Sequence, residues 1–136
     1  MLRGQTISVL IGVNDVWRQF AGAEELPYAV LPDDYETTYR QLLKDTKEKC
    51  NSRRVICEPF MFCDDLTNPF FAQLRRYIET VRRIAADFDA VLVPFQNQID
   101  TLIKQVPPQK WSSDMVHPEL WAHSWLAQQW LNATGL

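Results

Sequence analysis

The chain has 136 residues, 46% of them apolar and 23% charged, and carries a net charge of −3. That length supports one domain around one sizeable core, so residues 1–136 read as a single unit. The charge leaves no basic field for nucleic acid, no apolar run is long enough for a membrane span, and "MLRGQT" does not read as a signal peptide.

Ile7, Val9 and Leu10 through Val13 form an apolar, largely β-branched run interrupted by Ser8 and Gly12. Such a run predicts a strand buried on both faces of a parallel sheet. In "IGVNDVW", Asn14 and Asp15 then fall where the strand ends, on the rim where open α/β sheets bind ligands. An ordinary Asx turn closing the strand accounts for the same pair. A polar, proline-marked loop follows as far as Pro32.

A helix is predicted from about Asp33, with Tyr35, Tyr39, Leu42, Leu43 and Thr46 on one face and charges arranged to suit its dipole. "RVICEPF" reads as the second strand, ended by Pro59. Asn68 and Pro69 make a cap and first-turn pair for a helix whose stripe is Phe71, Leu74, Ile78, Val81, Ala85 and Phe88. "AVLVPF" is a third strand, with a short helix marked by Ile99, Leu102, Ile103 and Val106 behind it. A loop through Pro107 and Pro108 leads to "SSDMVHPELW", and a last helix runs from Pro118 to about Ala133. Alternating strands and helices call for a parallel sheet flanked by helices.

Three cysteines, Cys50, Cys57 and Cys63, cannot all pair internally, and with only two histidines their spacing fits no zinc pattern. No metal or other cofactor is expected, Cys57 reads as a small core residue, and the odd count points to a reducing, cytoplasmic setting.

The chemistry-bearing stretch is "DMVHP". A carboxylate three residues before a histidine can accept the Nδ1 proton and leave Nε2 free as a general base. Pro118 would start the helix and hold His117 at its N-terminal mouth, where dipole and carboxylate act in opposite senses. The bland alternative makes Asp114 a turn residue and His117 a cap neighbour.

Taken together, "IGVNDVW" and "DMVHPELWAHSWLAQQWL" resemble the third and fifth blocks of the SGNH (GDSL-type) hydrolases, and "EPFMF" resembles that family's segment after the corresponding strand. The resemblance implies a three-layer, flavodoxin-like α/β fold that hydrolyses carboxylic esters, often acetyl or short acyl, without metal or cofactor. It implies Asn14 as an oxyanion donor and Asp114 and His117 as two members of a Ser-His-Asp triad. Asp15 and Trp17 are weaker substrate-pocket candidates, Asp15 reading better as a loop-orienting residue and Trp17 equally well as packing.

One departure is decisive. The family's nucleophile sits in a Gly-Asp-Ser block after its first strand, and a second block supplies an oxyanion glycine. Ser8, Ser52, Ser112, Ser113 and Ser124 all lack that context, and Gly4 precedes a strand rather than following one. The expectation is therefore an N-terminally incomplete domain keeping three strands, inert alone as an esterase and exposing its first strand. The alternatives are a catalytically inert remnant or interaction module pairing through residues 6–13, and half of a two-chain enzyme. Trp121, Trp125 and Trp130 lie on a helix apolar nearly all round, suited to cover further core or a partner.

Overall fold

A computed structural model describes residues 3–136; Met1 and Leu2, the start of "MLRGQT", lie outside them. Three parallel strands, β1 (Arg3–Val9), β2 (Asn51–Cys57) and β3 (Val91–Val93), form one sheet in the order β1-β2-β3. Ser8 pairs with Val55, and Val55 with Val91, in register.

The first apolar run is divided differently from the expectation. β1 stops at Val9, and Val13–Phe20 is a helix, α1, so Asn14 and Asp15 lie in a helical first turn rather than a loop. The physical reason is Gly12, whose φ of 125° ends extended backbone in a region L side chains rarely adopt. A Cβ there would stand 3.2 Å from the Tyr35 hydroxyl and 3.4 Å from Pro59 Cγ, so the turn is packed as well as bent. The Tyr35 hydroxyl also donates to the Ile11 carbonyl at 3.0 Å, fixing the connection from the other side.

Beyond α1 come a 3-10 turn (Leu26–Tyr28) and α2 (Pro32–Lys49), which buries Tyr35, Tyr39 and Leu43 while Leu42 stays exposed. The helix predicted after Asn68 is α3 (Pro69–Asp87), with the Asn68 side chain accepting from Phe70 N and Phe71 N. Its predicted stripe is buried, joined by Tyr77 and Ile84, and Phe88 packs against it. Two strand ends are corrected inward. Glu58–Phe60 lie beyond β2, and β3 keeps three residues because α4 (Phe95–Leu102) begins directly after Pro94. The loop after α4 contains a one-turn helix, α5 (Pro108–Trp111), and α6 runs Leu120–Thr134 with Glu119 as its N-cap.

The layers follow from the clusters. Val16 of α1, the α2 tyrosines and the α3 stripe pack with Ile56 on one face of the sheet. Val55, Cys57 and Val93 meet Leu126, Trp125 and Trp130 of α6 on the other. Phe62, Ile99, Ile103, Trp111 and Ala122 join α4, α5 and α6. This is the expected three-layer α/β architecture, with β1 paired on one side only among the described residues. Its expected two-sided burial is not met: Ser8 is exposed, and Leu10 and Ile11 beyond the strand end are 48% and 44% exposed. Among the described residues, no helix is long and apolar enough to cross a membrane.

Candidate active site

The carboxyl ends of parallel strands are where this architecture gathers ligand-binding residues, and two connections meet there. One is the β1–α1 turn, which sets Asn14 on the first turn of α1. That helix is pinned to α3: Gln19 Nε2 donates to the Tyr77 hydroxyl at 2.8 Å, and Gln73 Nε2 donates to Gln19 Oε1 at 2.8 Å. Asp15 serves the same anchoring, its carboxylate accepting from Val30 N at 3.2 Å. It is not among the residues lining the groove described below.

The second connection is Ser112–Glu119. Trp111, buried between α5 and α6, stacks on Phe62 at 5.6 Å and meets Trp121 at 4.4 Å. Trp111 O accepts from Glu119 N at 2.8 Å, and Met115 O accepts from Phe62 N at 2.8 Å. Phe62 belongs to "EPFMF", so this segment tethers the histidine loop. Its neighbour Met61 is held in turn by the buried Gln96 amide, through Met61 N at 2.8 Å and Met61 O at 3.1 Å. Met115 takes φ 69°, a left-handed conformation costly for a residue with a Cβ. That geometry bends the chain so that Asp114 and His117 face each other.

Asp114 divides its two oxygens. Oδ1 accepts from His117 N at 2.8 Å, Val116 N at 3.0 Å and the Ser112 hydroxyl at 3.0 Å. Oδ2 lies 2.7 Å from His117 Nδ1. These donors, the His117 backbone N–H first and its ring second, hold the carboxyl far below the usual carboxylate range. An ionised carboxylate only accepts, so in the neutral ring Nδ1 carries the proton and Nε2 is left with a lone pair. The side chain of His117 is 83% exposed, so Nε2 is reachable. α6 begins at Leu120, not at Pro118. His117 therefore lies outside its first turn, where the helix dipole has largely decayed. Asp114, rather than the helix, is the group that faces the ring.

Asn14, Trp17, Asp114, Val116 and His117 line one groove of about 290 Å³. Asn14 and the Asp–His pair, 100 positions apart in sequence, thus open on the same space, and Trp17 is half exposed along it. A smaller apolar hollow of about 190 Å³, sharing Val116 and bounded by Leu10, Ile11 and Phe60, adjoins it. No serine lines the groove among the described residues. The Ser8 hydroxyl accepts from Trp130 Nε1 at 3.0 Å, and Ser112 is buried with its hydroxyl turned to Asp114. Sequence reasoning missed Ser112 and Val116; a hydroxyl two residues before the aspartate was the available signal for the first. Nor do any three His, Cys, Asp or Glu side chains among the described residues come together as metal ligands would. What the arrangement can do is accept a proton at Nε2 beside an amide donor.

The chain is thus a parallel α/β sheet carrying a histidine–aspartate pair at its rim. More particularly, the chain belongs to the GDSL-like Lipase/Acylhydrolase family, which it matches over residues 2–124. It is 30% identical over 133 residues to an acetylxylan esterase of Geobacillus stearothermophilus, covering 95% of this chain and 58% of that protein. The solved structure of that organism's acetylxylan esterase superposes with a TM-score of 0.88 at 29% identity, over 97% of this chain and 60% of that one. An alpha/beta hydrolase from the metagenome of Lake Arreo, Spain, superposes with a TM-score of 0.89 at 28% identity, over 96% and 60%. The chain thus spans about three-fifths of the length of these relatives.

Proposed function

We propose that this chain carries the base, its aspartate and one oxyanion donor of a carboxylic ester hydrolase acting on acetyl or other short acyl esters, with the serine nucleophile lying outside residues 1–136. The observation that carries the reading is the 2.7 Å Asp114–His117 pair opening on the same groove as Asn14. The likeness to an acetylxylan esterase supports a small acyl group.

In this reading His117 Nε2 takes the proton of the serine hydroxyl as its oxygen bonds to the ester carbonyl carbon. The carbonyl oxygen gains the electron pair, and the Asn14 amide donates to it. Collapse of the tetrahedral species breaks the bond to the alcohol oxygen, which leaves with the proton from Nε2. Water then repeats the sequence on the acyl-serine and releases the carboxylic acid. Asp114 keeps the ring in the productive tautomer and stabilises the imidazolium throughout. Trp17 supplies an apolar wall for the acyl or alcohol group. The substrate is a small ester; the net charge of −3 offers no surface for nucleic acid, and the odd cysteine count favours the cytoplasm.

One observation sustains a second reading, an inert module that pairs through β1: among the described residues that strand has a neighbour on one side only. The test joins the serine-bearing portion of the Geobacillus relative in front of this chain and assays an aryl acetate. The expected result is hydrolysis abolished by His117→Ala and lowered about 10²–10³-fold by Asn14→Ala. A chimera that folds, judged by near-UV circular dichroism, yet hydrolyses nothing through His117 overturns the hydrolase reading in favour of the inert module.

A further inference from the structure

We propose that Ser112 is a positioning residue that fixes the Asp114 carboxylate and, through it, the tautomer of the His117 ring; this rests on the reading of His117 as the base. The loop backbone is already held by three tethers, Ser112 N to Pro108 O at 3.2 Å, Glu119 N to Trp111 O at 2.8 Å and Phe62 N to Met115 O at 2.8 Å. What those tethers leave free is rotation of the Asp114 side chain about its own bonds. Two donors to Oδ1, Val116 N and His117 N, come from the C-terminal side of Asp114. The Ser112 hydroxyl, 3.0 Å away, is the donor from the N-terminal side. A carboxylate held from both directions keeps its plane, and with it the 2.7 Å contact of Oδ2 with Nδ1.

The environment of Ser112 suits that duty. It is only 2% exposed, next to the buried Trp111, whereas Asp114 and His117 are largely open to water. A buried hydroxyl does not lose its direction to competing solvent, so it is the donor to the carboxylate side chain that water disturbs least. The same burial bars Ser112 from acting as the nucleophile: its hydroxyl faces Asp114 and not the groove.

The test is nitrogen-15 NMR of the His117 ring in the 136-residue chain at about pH 9, where an imidazole is neutral and its two tautomers are distinguished by nitrogen shift. The parent is expected mostly as the Nδ1–H tautomer. Ser112→Ala should lower the ratio of Nδ1–H to Nε2–H about threefold or more, the equivalent of one modest hydrogen bond, and Ser112→Thr should restore it. If Ser112→Ala does not fold, Ser112→Cys, of similar volume and with only a weak donor, gives the same reading. An unchanged ratio in a folded variant, even with a lowered unfolding midpoint, reduces Ser112 to a structural role and overturns the proposal. Asp114→Asn separates the two levels. If that variant leaves the tautomer of the parent intact, it is the Asp–His reading of the site that fails.

Discussion

Removing the Arg82 side chain tests how the segment beneath the histidine loop is held. Glu58, the first residue past β2, is fully buried, and its carboxylate has two partners: Arg82 Nε at 2.6 Å and Asn97 N at 3.2 Å. In Arg82→Ala the carboxylate would keep one backbone donor in an otherwise closed site. Breaking a buried pair from one side typically costs about 3–5 kcal/mol. Arg82 is 43% exposed, however, so water can enter where its guanidinium stood. The expected loss is therefore about 2–3 kcal/mol, or about 8–12 °C in unfolding midpoint for a domain of this size. Adding Glu58→Gln should recover about 1–2 kcal/mol of it, because a neutral amide needs less compensation than a lone carboxylate. Urea denaturation of the parent, both single variants and the double variant measures the cycle. If Arg82→Ala stays within about 0.5 kcal/mol of the parent, as surface substitutions do, the carboxylate does not depend on that arginine and the reasoning fails.

Three further outcomes are expected. The 136-residue chain alone should hydrolyse an aryl acetate no faster than its His117→Ala variant, because triad sites without their nucleophile retain little and two oxyanion donors go with it; a parent clearly faster than the variant refutes this. Because the Asp114 carboxyl is held below its unfolded value, its contribution to stability is fully present above about pH 4 and disappears as the pH falls through the folded value. Being half exposed, it contributes little, but carbon-13 NMR should find it still ionised at about pH 3, and titration at the ordinary aspartate value would count against the hydrogen-bond set. Finally, Thr6–Val9 of β1 and Leu10 and Ile11 just beyond it carry no charge or proline, so the chain should dimerise or aggregate through this edge, and Leu10→Lys should suppress this. A stable monomer by light scattering at tens of micromolar, with β1 amides as protected as those of β2, would mean that the edge is covered from within.

The parts legible in the sequence are those written in local chemistry. Asn68–Pro69 and the stripe behind it located α3, because a cap and a 3.6-residue period act within one helix. The Asp114–His117 pair was legible for the same reason, its geometry being closed inside a few residues of loop. What escaped was decided by distant contacts. The break at Gly12 depends on Tyr35 and Pro59, which crowd the turn from α2 and from beyond β2, so strand and helix merged into one apolar run when read in line. α6 starts after Glu119 because Glu119 N is taken by Trp111 O, a bond that proline placement does not announce. Ser112 stood in the sequence only as a serine without a Gly-Asp-Ser context, since what it does is decided by which carboxylate oxygen it meets.

The mismatch at β1 carries the most functional weight. A run of that composition is suited to cover on both faces and pairing on both edges, yet among the described residues β2 is its one partner, and Leu10 and Ile11 remain open to water. The same end of the strand bounds the hollow that adjoins the groove lined by Asn14 and His117, where no serine is found among the described residues. In the proposed hydrolase reading the two observations are linked: a segment laid along the free edge covers the apolar residues and brings a nucleophile to the rim. A chain found both monomeric and active on its own would break that link.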